Sequence, residues 1–326
     1  MNNSNTNQSN AAECHNLTRI YQVGKGIGKK REIHALEDLT LSIPQGVVFG
    51  ILGPNGAGKT TLVRILSTLL TPTSGTASVM GFDVHKQASE VRNHIGLVLG
   101  GDRGLMGRLT GKENLLYFAS INQLSPREAD RRADELLEKV KLSGNSDMLV
   151  EQYSRGMKQR LHIARGLLTD PTVLFLDEPT IGLDPFGAQE LRQMIPNLVG
   201  QGKTVLLTTH YMLEADTLCS TVAMINKGKL VALGSPTEIK NKFSKINVVE
   251  VVVKEANKAA IDDLGKFEGV ERVDVGADGA FQKLIISTKL GSDLQTRVAE
   301  RVGKGNIESI ITRAPTLEEA YLSILK

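Results

Sequence analysis

The sequence has few cysteines, little net charge and no long apolar run. Cys14 and Cys219 are its only cysteines and lack the spacing of metal ligands, so we expect a reducing compartment rather than a disulfide scaffold. A formal net charge of +3 argues against wrapping of nucleic acid as the main task. No stretch approaches the roughly 20 apolar residues of a membrane span, and the opening MNNSNTNQSN is too polar for a signal peptide. We therefore expect a soluble, cytoplasmic chain that reaches a membrane only through a partner.

Three regions follow one another along the chain. Residues 1–14 are rich in Asn and Ser and have little apolar surface to pack, which predicts a disordered tail. Residues 15–243 alternate short apolar runs with helical patterns, as is typical of an α/β domain with a mainly parallel sheet. We expect its buried strands at VVFGIL (47–52), VLFL (173–176) and TVLLTT (204–209).

The third region, residues 244–326, has the pattern β-α-β-β-α-β-α and no chemical motif. GADGA between two strand patterns predicts a hairpin. Thr316 and Glu319 have the spacing of a capping box at the start of the last helix. We expect a small αβ sandwich that serves docking or dimerisation, and a merely structural appendage remains the alternative.

The strongest chemical motif is GPNGAGKTT, which follows an apolar strand and opens a helix, the context of a phosphate-binding loop. Its glycines allow successive N–H groups to face phosphates. Lys59 supplies positive charge to the β- and γ-phosphates, and the Thr60 hydroxyl is placed for Mg²⁺. The candidate nucleotide-binding residues of this loop are Gly53, Pro54, Asn55, Gly56, Ala57, Gly58, Lys59, Thr60 and Thr61.

Polar residues also follow two of the other buried strands. Asp177 ends VLFLD, at the edge where α/β sheets hold ligands, and can bind Mg²⁺ directly or through water. We expect Glu178, one residue on, to point to the other side and to polarise an attacking water. His210 directly follows TVLLTT, where it could donate a hydrogen bond to the γ-phosphate. Asp184, in GLDP, lies in a turn that could reach across an interface or could be a simple Asp-Pro loop.

A second candidate anion site lies about a hundred residues after the first. In YSRGMKQRLHIARG a short polar stretch precedes a helical pattern, which is the layout of a helix N-terminus that offers N–H groups to an anion.

Taken together, GPNGAGKTT, YSRGM, VLFLDEPT, GLDP and TTHYMLEAD resemble, over residues 16–240, the ATP-binding subunit of an ATP-binding-cassette (ABC) transporter. The resemblance implies ATP and Mg²⁺ as cofactors. It also implies a head-to-tail pair of subunits, in which each ATP lies between one phosphate loop and the partner's signature helix. The signature residues are Ser154, Arg155, Gly156 and Met157, and Asp184 would lie in the dimer loop.

Further assignments follow from the same resemblance. Tyr21 matches the aromatic residue that stacks on adenine, SGTASVMGFDV the family's antiparallel hairpin, and residues from about 84 to 168 its helical subdomain. The loop GGDRGLMGRLTGKENL would couple the ATP site to that subdomain, which docks on the membrane subunit. This loop begins at Gly100 where the family usually has a Gln that touches Mg²⁺ and the attacking water, so water positioning falls to Asp102, to backbone, or to Glu178 and His210 alone.

The signature also departs from the usual Leu-Ser-Gly-Gly-Gln, since Arg155 adds positive charge and Met157 removes a polar side chain. YSRGMKQRL, TTHYMLEAD and APTLEEAYLSIL resemble the daunorubicin-resistance type of subunit. That type serves exporters of drugs, antibiotics, lipids or polysaccharides whose ABC-2 class permease is a separate chain. The resemblance implies a subunit that pairs as a homodimer and lies on the cytoplasmic face of the membrane.

Other classes of function remain open. ABC ATPases of translation carry two cassettes and those of DNA repair insert long coiled coils, whereas this chain has one cassette and no sustained heptads. A GTPase is disfavoured because NKGK (226–229) lacks the Asp that guanine recognition requires. A binding role without turnover is possible if Gly100 impairs hydrolysis.

Overall fold

The structure, a computed structural model, describes residues 9–24, 31–100, 104–243, 246–254, 257–289 and 294–324. It divides into two compact units, one that ends at Ser235 and one that starts at Pro236. This division lies ahead of the boundary expected after residue 243, because residues 236–243 form a helix that packs on the last helix of the second unit. Each unit has a hydrophobic core of its own.

The first unit contains ten strands and seven α-helices in its described residues. In chain order they are β1 (Asn10–Val23), β2 (Arg31–Pro44), β3 (Val48–Leu52), α1 (Lys59–Leu66), β4 (Ser74–Val79), β5 (Phe82–Asp83), α2 (Ala88–His94), β6 (Ile95–Leu99), α3 (Gly111–Ile121), α4 (Pro126–Lys139), α5 (Arg155–Gly166), β7 (Val173–Asp177), α6 (Pro185–Gly200), β8 (Thr204–Thr209), α7 (Met212–Leu218), β9 (Thr221–Asn226) and β10 (Lys229–Gly234).

The central sheet has six strands in the order β10-β9-β3-β8-β7-β6. Every neighbouring pair is parallel except β9 and β10. All residues of β3, β7 and β8 are buried, as the continuous apolar runs predict for strands covered on both faces. The mainly parallel sheet expected from the sequence is confirmed.

A second sheet is antiparallel, with the order β2-β1-β4-β5. The expected hairpin in SGTASVMGFDV forms its β4–β5 edge. The composition of residues 1–14 predicts a disordered tail, but this is wrong for residues 10–14, which begin β1. Ala11, Ala12 and Cys14 are buried there, because these small apolar side chains pack on the core while the polar neighbours face outward. Residues 1–8 lie outside the described residues.

The helices α3, α4 and α5 pack on one another. Both α3 and α4 begin at capping side chains, since Thr110 accepts a hydrogen bond from the Glu113 N–H and Ser125 accepts one from the Glu128 N–H. The range of 84–168 expected for the helical subdomain is too wide, because it also includes β6, a strand of the central sheet. No helix in the described part of the chain combines the length and apolarity that a membrane crossing requires.

The second unit consists of α8 (Pro236–Phe243), β11 (Ile246–Val253), α9 (Lys258–Leu264), β12 (Val270–Asp278), β13 (Phe281–Lys289), α10 (Gln295–Val302), β14 (Ile307–Arg313) and α11 (Leu317–Ile324). Its antiparallel sheet has the order β12-β13-β11-β14, and β12 and β13 form the expected hairpin. The expected capping box is also present, since Thr316 and Glu319 exchange hydrogen bonds of 2.7 and 3.2 Å. On this unit's sheet, Arg313 bonds Glu250 of β11 and both carboxylate oxygens of Glu319.

Gly96 of β6 allows the backbone of α5 to approach this strand closely. A Cβ atom at Gly96 would lie 2.1 Å from the carbonyl oxygen of Gly166. We expect Gly96→Ala to lower the free energy of unfolding by about 1–3 kcal/mol, because the helix must move away from the strand. Gly200→Ala is the matched control, since a Cβ there meets no described atom within 4 Å. Urea unfolding followed by circular dichroism measures both, and equal midpoints for the two variants would contradict this account of the packing.

Candidate functional site

A cavity of about 950 Å³ lies at the carboxyl ends of the parallel strands and is the candidate site. The first turn of α1 lies on one side of it and the ends of β6 and β7 on the other. The described residues that line it are Tyr21, Ile33, His34, Ala35, Asn55, Gly56, Ala57, Gly58, Lys59, Thr60, Thr61, Arg64, Leu99, Gly100, Arg165, Asp177, Glu178 and Ile181. The structure thus brings most of the residues expected to bind nucleotide into one cavity.

The loop from Gly53 to Gly58 takes a conformation that depends on glycine. Gly58 precedes α1 with a φ of 111°, in the left-handed region that other residues rarely adopt. A Cβ at Gly58 would also lie 2.4 Å from the carbonyl oxygen of Ala35. Because α1 starts at Lys59 without a side-chain cap, the N–H groups of its first turn are available to an anion in the cavity.

Lys59 is the buried cation of the cavity. Its Nζ donates hydrogen bonds to the carbonyl oxygens of Gly53, at 2.9 Å, and Pro54, at 3.2 Å. The same Nζ lies 3.2 Å from Oε1 of Glu178. The loop's own carbonyl groups therefore aim the ammonium group into the cavity, where it meets a carboxylate.

Thr60 and Asp177 form a pair of oxygen groups next to Lys59. The Thr60 hydroxyl lies 3.0 Å from Oδ2 and 3.2 Å from Oδ1 of Asp177, so α1 and β7 meet at this point. Hydroxyl and carboxylate oxygens are the donor type that Mg²⁺ prefers, and Mg²⁺ usually takes only one or two protein ligands beside phosphate and water. Among the described residues no cluster of three or more His, Cys, Asp or Glu could hold a metal by itself. The pair therefore fits Mg²⁺ held jointly with phosphate.

Strand alternation predicts that Glu178 points to the opposite side of the sheet from Asp177. In the structure both side chains line the same cavity. Strand β7 ends at Asp177, and Glu178 has a φ of 49°, outside the extended region. Its carboxylate therefore faces the same cavity and lies 3.4 Å from Nδ1 of His210 as well as close to Lys59. Nζ of Lys59 and Nδ1 of His210 thus both lie close to the same oxygen atom, Oε1 of Glu178.

Other expected residues lie at the rim of the cavity or beyond it. Tyr21 lines the cavity, with the guanidinium of Arg19 4.8 Å from its ring centre. Gly100 also lines it, and a Cβ there would lie 3.1 Å from the carbonyl oxygen of Asp177. Asp102 lies outside the described residues.

The signature residues Ser154–Met157 and Asp184 are absent from the described lining of this cavity. Ser154 caps α5 by accepting a hydrogen bond from the Met157 N–H, and Asp184 caps α6 by accepting one from the Gly187 N–H. The two helix starts are adjacent, because a Cβ at Gly156 would lie 3.7 Å from the Cα of Gly187. The exposed Arg155 reaches the Gly182 carbonyl oxygen at 3.5 Å. These residues form a separate surface.

The site also contains residues that were not expected from the sequence, and Arg165 and Thr208 make the most specific contacts among them. Arg165, near the end of α5, lines the cavity, donates to the Gly104 carbonyl oxygen at 2.8 Å and lies over the ring of Phe118. Thr208 of β8 donates a hydrogen bond to Asp177. The only signal for Thr208 was a polar residue in a buried strand, and Arg165 carried none, because its contacts come from distant parts of the chain.

The two cysteines take no part in this cavity. Cys14 and Cys219 are both buried and free. Burial, together with a neighbouring glutamate in each case, raises the pKa of each thiol to about 12. Both thiols are therefore protonated near neutral pH and behave as small apolar side chains.

The chain is similar in sequence to known proteins. A family model described as ABC transporter matches residues 36–181. The daunorubicin resistance ATP-binding protein DrrA3 of Streptomyces coeruleorubidus is 41% identical over 294 residues, which cover 89% of this chain and 90% of that protein.

Two solved structures are each similar to about 70% of this chain. CbiO1 from Clostridium perfringens, described as part of the ABC transporter complex cbiONQ, aligns with a TM-score of 0.63 and 27% identity, over 72% of this chain and 91% of that one. The ATP-binding cassette MJ0796, solved as a dimer bound to ADP and Pi, aligns with a TM-score of 0.60 and 28% identity, over 69% of this chain and 98% of that one.

We expect Lys59→Ala to weaken binding of ATP roughly 10- to 100-fold, because it removes the buried charge that the loop aims into the cavity. Titration calorimetry with ATP measures the change. Lys86→Ala, which removes an exposed cation outside the cavity lining, is the control and should bind ATP as the unaltered chain does. Equal affinities for the two variants would exclude Lys59 from the nucleotide site.

Proposed function

We propose, from the premise that this chain belongs to the ABC transporter ATPases and is an ATP-binding subunit of the drug-resistance exporter type, that it powers a separate permease of the ABC-2 class. The family membership rests on 41% identity to a daunorubicin resistance ATP-binding protein over most of both chains. We infer the roles of individual residues, the pairing of subunits and the membrane partner from the site and the surfaces of the chain.

The observation that carries the proposal is the meeting of α1 with the ends of β7 and β8. Lys59 and Thr60 from the helix lie within 3.2 Å of the carboxylates of Glu178 and Asp177. His210, just after β8, lies 3.4 Å from Glu178. A cation for phosphate, oxygen groups for Mg²⁺ and a carboxylate beside an imidazole are the groups that nucleotide hydrolysis requires.

The adenine and the phosphates of ATP would occupy the two ends of this cavity. We assign the adenine to Tyr21 and the phosphates to the loop Gly53–Thr61 and the first turn of α1. Thr60 and Asp177 would hold Mg²⁺, which supplies positive charge to the phosphate oxygens. Lys59 must then exchange the carboxylate of Glu178 for phosphate, which is possible because both are anions within reach of the same ammonium group.

Hydrolysis then proceeds with Glu178 as the general base. Its carboxylate takes a proton from a water molecule, whose oxygen forms a bond to the γ-phosphorus as the bond to the ADP oxygen breaks. His210 donates a hydrogen bond to the γ-phosphate and limits the positions that Glu178 can take. Gly100 has no side chain to orient the water, so this task falls to Glu178 and His210.

A second copy of the cassette would complete the site. The N-terminus of α5 opens on the surface, and its first turn, Arg155–Lys158, has two cations and no acidic residue. Cations at the positive end of a helix repel the helix dipole unless an anion is near, which favours this surface as a site for the partner's triphosphate. The similar cassette MJ0796 was solved as a dimer. We propose a homodimer.

The permease would dock on the helices after Gly100. Exposed apolar side chains there include Met106, Tyr117 and Ile121, and Ile121, at the end of α3, is 58% exposed. Arg165 connects the cavity to this region, since it contacts Gly104 and Phe118. Docking would place the chain on the cytoplasmic face of the membrane, with a drug, antibiotic, lipid or polysaccharide as the exported cargo.

Glu178→Gln tests the ATPase part of the proposal. The amide keeps the shape of the side chain but accepts no proton, so we expect turnover to fall ~10²- to 10⁴-fold while ATP binding persists. A dimer of the variant should then accumulate in the presence of ATP, and size-exclusion chromatography with light scattering detects it. Glu190→Gln, a carboxylate of similar exposure paired with Arg160, is the control. Normal turnover in Glu178→Gln would exclude Glu178 as the general base.

Ile121→Lys tests the membrane partner. We expect the tagged chain, expressed in its own cells, to sediment with membranes and to co-purify with an integral membrane protein. The charge should lower that recovery by roughly tenfold or more, because an apolar contact at an interface centre is lost. Leu69→Lys, at a site that is 59% exposed elsewhere in the unit, should have no effect. Equal recovery of both variants would place the docking surface elsewhere.

A further inference from the structure

Thr208 joins the two carboxylate residues of the site through one hydroxyl group. The residue is fully buried at the end of β8. Its hydroxyl donates a hydrogen bond of 2.5 Å to Oδ1 of Asp177 and accepts one of 3.0 Å from the backbone N–H of Glu178. That same N–H also lies 3.0 Å from the carbonyl oxygen of Thr208. A hydroxyl can donate one hydrogen bond and accept others, so both contacts are satisfied together.

The sheet register places Thr208 between these two residues. Thr208 pairs with Asp177 in the parallel ladder of β7 and β8, so its side chain lies beside the last residue of β7. Oδ1 of Asp177 thus contacts the hydroxyl group of Thr208 and, at 3.2 Å, that of Thr60, while Oδ2 lies 3.0 Å from the Thr60 hydroxyl. The rotation of the Asp177 carboxylate is therefore restrained from β8 as well as from α1.

Glu178 needs support of this kind because its backbone is unfavourable. Its φ of 49° lies in the left-handed region, where a side chain with a Cβ is crowded by the following carbonyl group. The two oxygen atoms of Thr208 hold its N–H in place. The turn that directs Glu178 into the cavity thus depends on Thr208.

We propose that Thr208 is a positioning residue for ATP hydrolysis: its hydroxyl orients Asp177 toward Mg²⁺ and fixes the backbone that carries Glu178. This inference rests on the proposed roles of Asp177 and Glu178. It assigns to β8 a task in the chemistry that differs from that of the neighbouring Thr209, whose hydroxyl oxygen accepts a hydrogen bond from the Tyr211 N–H and so stabilises the local turn.

Thr208→Val tests the proposal, because valine keeps the shape and removes the hydroxyl. We expect kcat to fall 10- to 100-fold and the Mg²⁺ concentration for half-maximal activity to rise by roughly tenfold, as is typical when a residue behind a metal ligand is lost. Binding of ATP measured in EDTA should remain at the level of the unaltered chain. Thr208→Ser, which keeps the hydroxyl, should restore most of kcat and the normal Mg²⁺ dependence.

Thr204→Val is the matched control. Thr204 is also fully buried in β8, and its hydroxyl oxygen accepts a hydrogen bond of 2.9 Å from the Gly46 N–H at the opposite end of the strand. Loss of this bond should lower thermal stability as Thr208→Val does, yet leave kcat and the Mg²⁺ dependence unchanged. If Thr208→Val is unfolded by circular dichroism, the pair Thr208→Ala and Thr208→Ser gives the same comparison, since those side chains differ only in the hydroxyl.

Two results would overturn the inference. One is normal kcat and Mg²⁺ dependence in a folded variant without the hydroxyl. The other is an equal loss of kcat in Thr204→Val, which would make the effect one of strand stability. Failure of the proposed function gives a different result. Normal turnover in Glu178→Gln would exclude Glu178 as the general base, while the Mg²⁺ dependence of Thr208→Val would still test whether Thr208 positions Asp177.

Discussion

The parallel register of the central sheet is the constraint on which the site depends. Leu52 of β3 pairs with Thr209 of β8, and Asp177 of β7 pairs with Thr208, so the three strands end at one edge. The loop after β3 turns there into α1, and the hydrogen bond between Thr60 and Asp177 joins that helix to β7, which is separated from β3 by β8. A shift of one residue in this register would move Asp177 away from Thr60.

Charge in the cavity is arranged around a single buried cation. The Lys59 ammonium group lies among carbonyl oxygens and one carboxylate, and it is almost fully buried. A buried charge requires such partners, because transfer out of water is costly when nothing compensates it. Glu178 and a phosphate group are therefore alternative partners for the same cation, which couples the position of the carboxylate to occupation of the site by an anion.

The two units divide the molecule into a part with chemistry and a part without a recognised motif. In the second unit one sheet face packs on α9 and α10 through an apolar core. The other face carries Glu250, which bonds Lys283 and Arg313, while Arg313 also bonds Glu319 of α11. This network attaches the last helix to the sheet, so the unit has separate means of stabilisation on each face.

The sequence by itself determined the phosphate loop, the buried strands and the residue types of the site, because these depend on local patterns of glycine, apolar runs and polar strand ends. It also predicted the capping box at Thr316, which involves neighbouring residues only. Tertiary structure alone decided the strand at residues 10–14, the direction of Glu178 and the contacts of Arg165 and Thr208. Each of these depends on groups that are distant in sequence, and backbone strain such as that at Glu178 is sustained only by bonds from another strand.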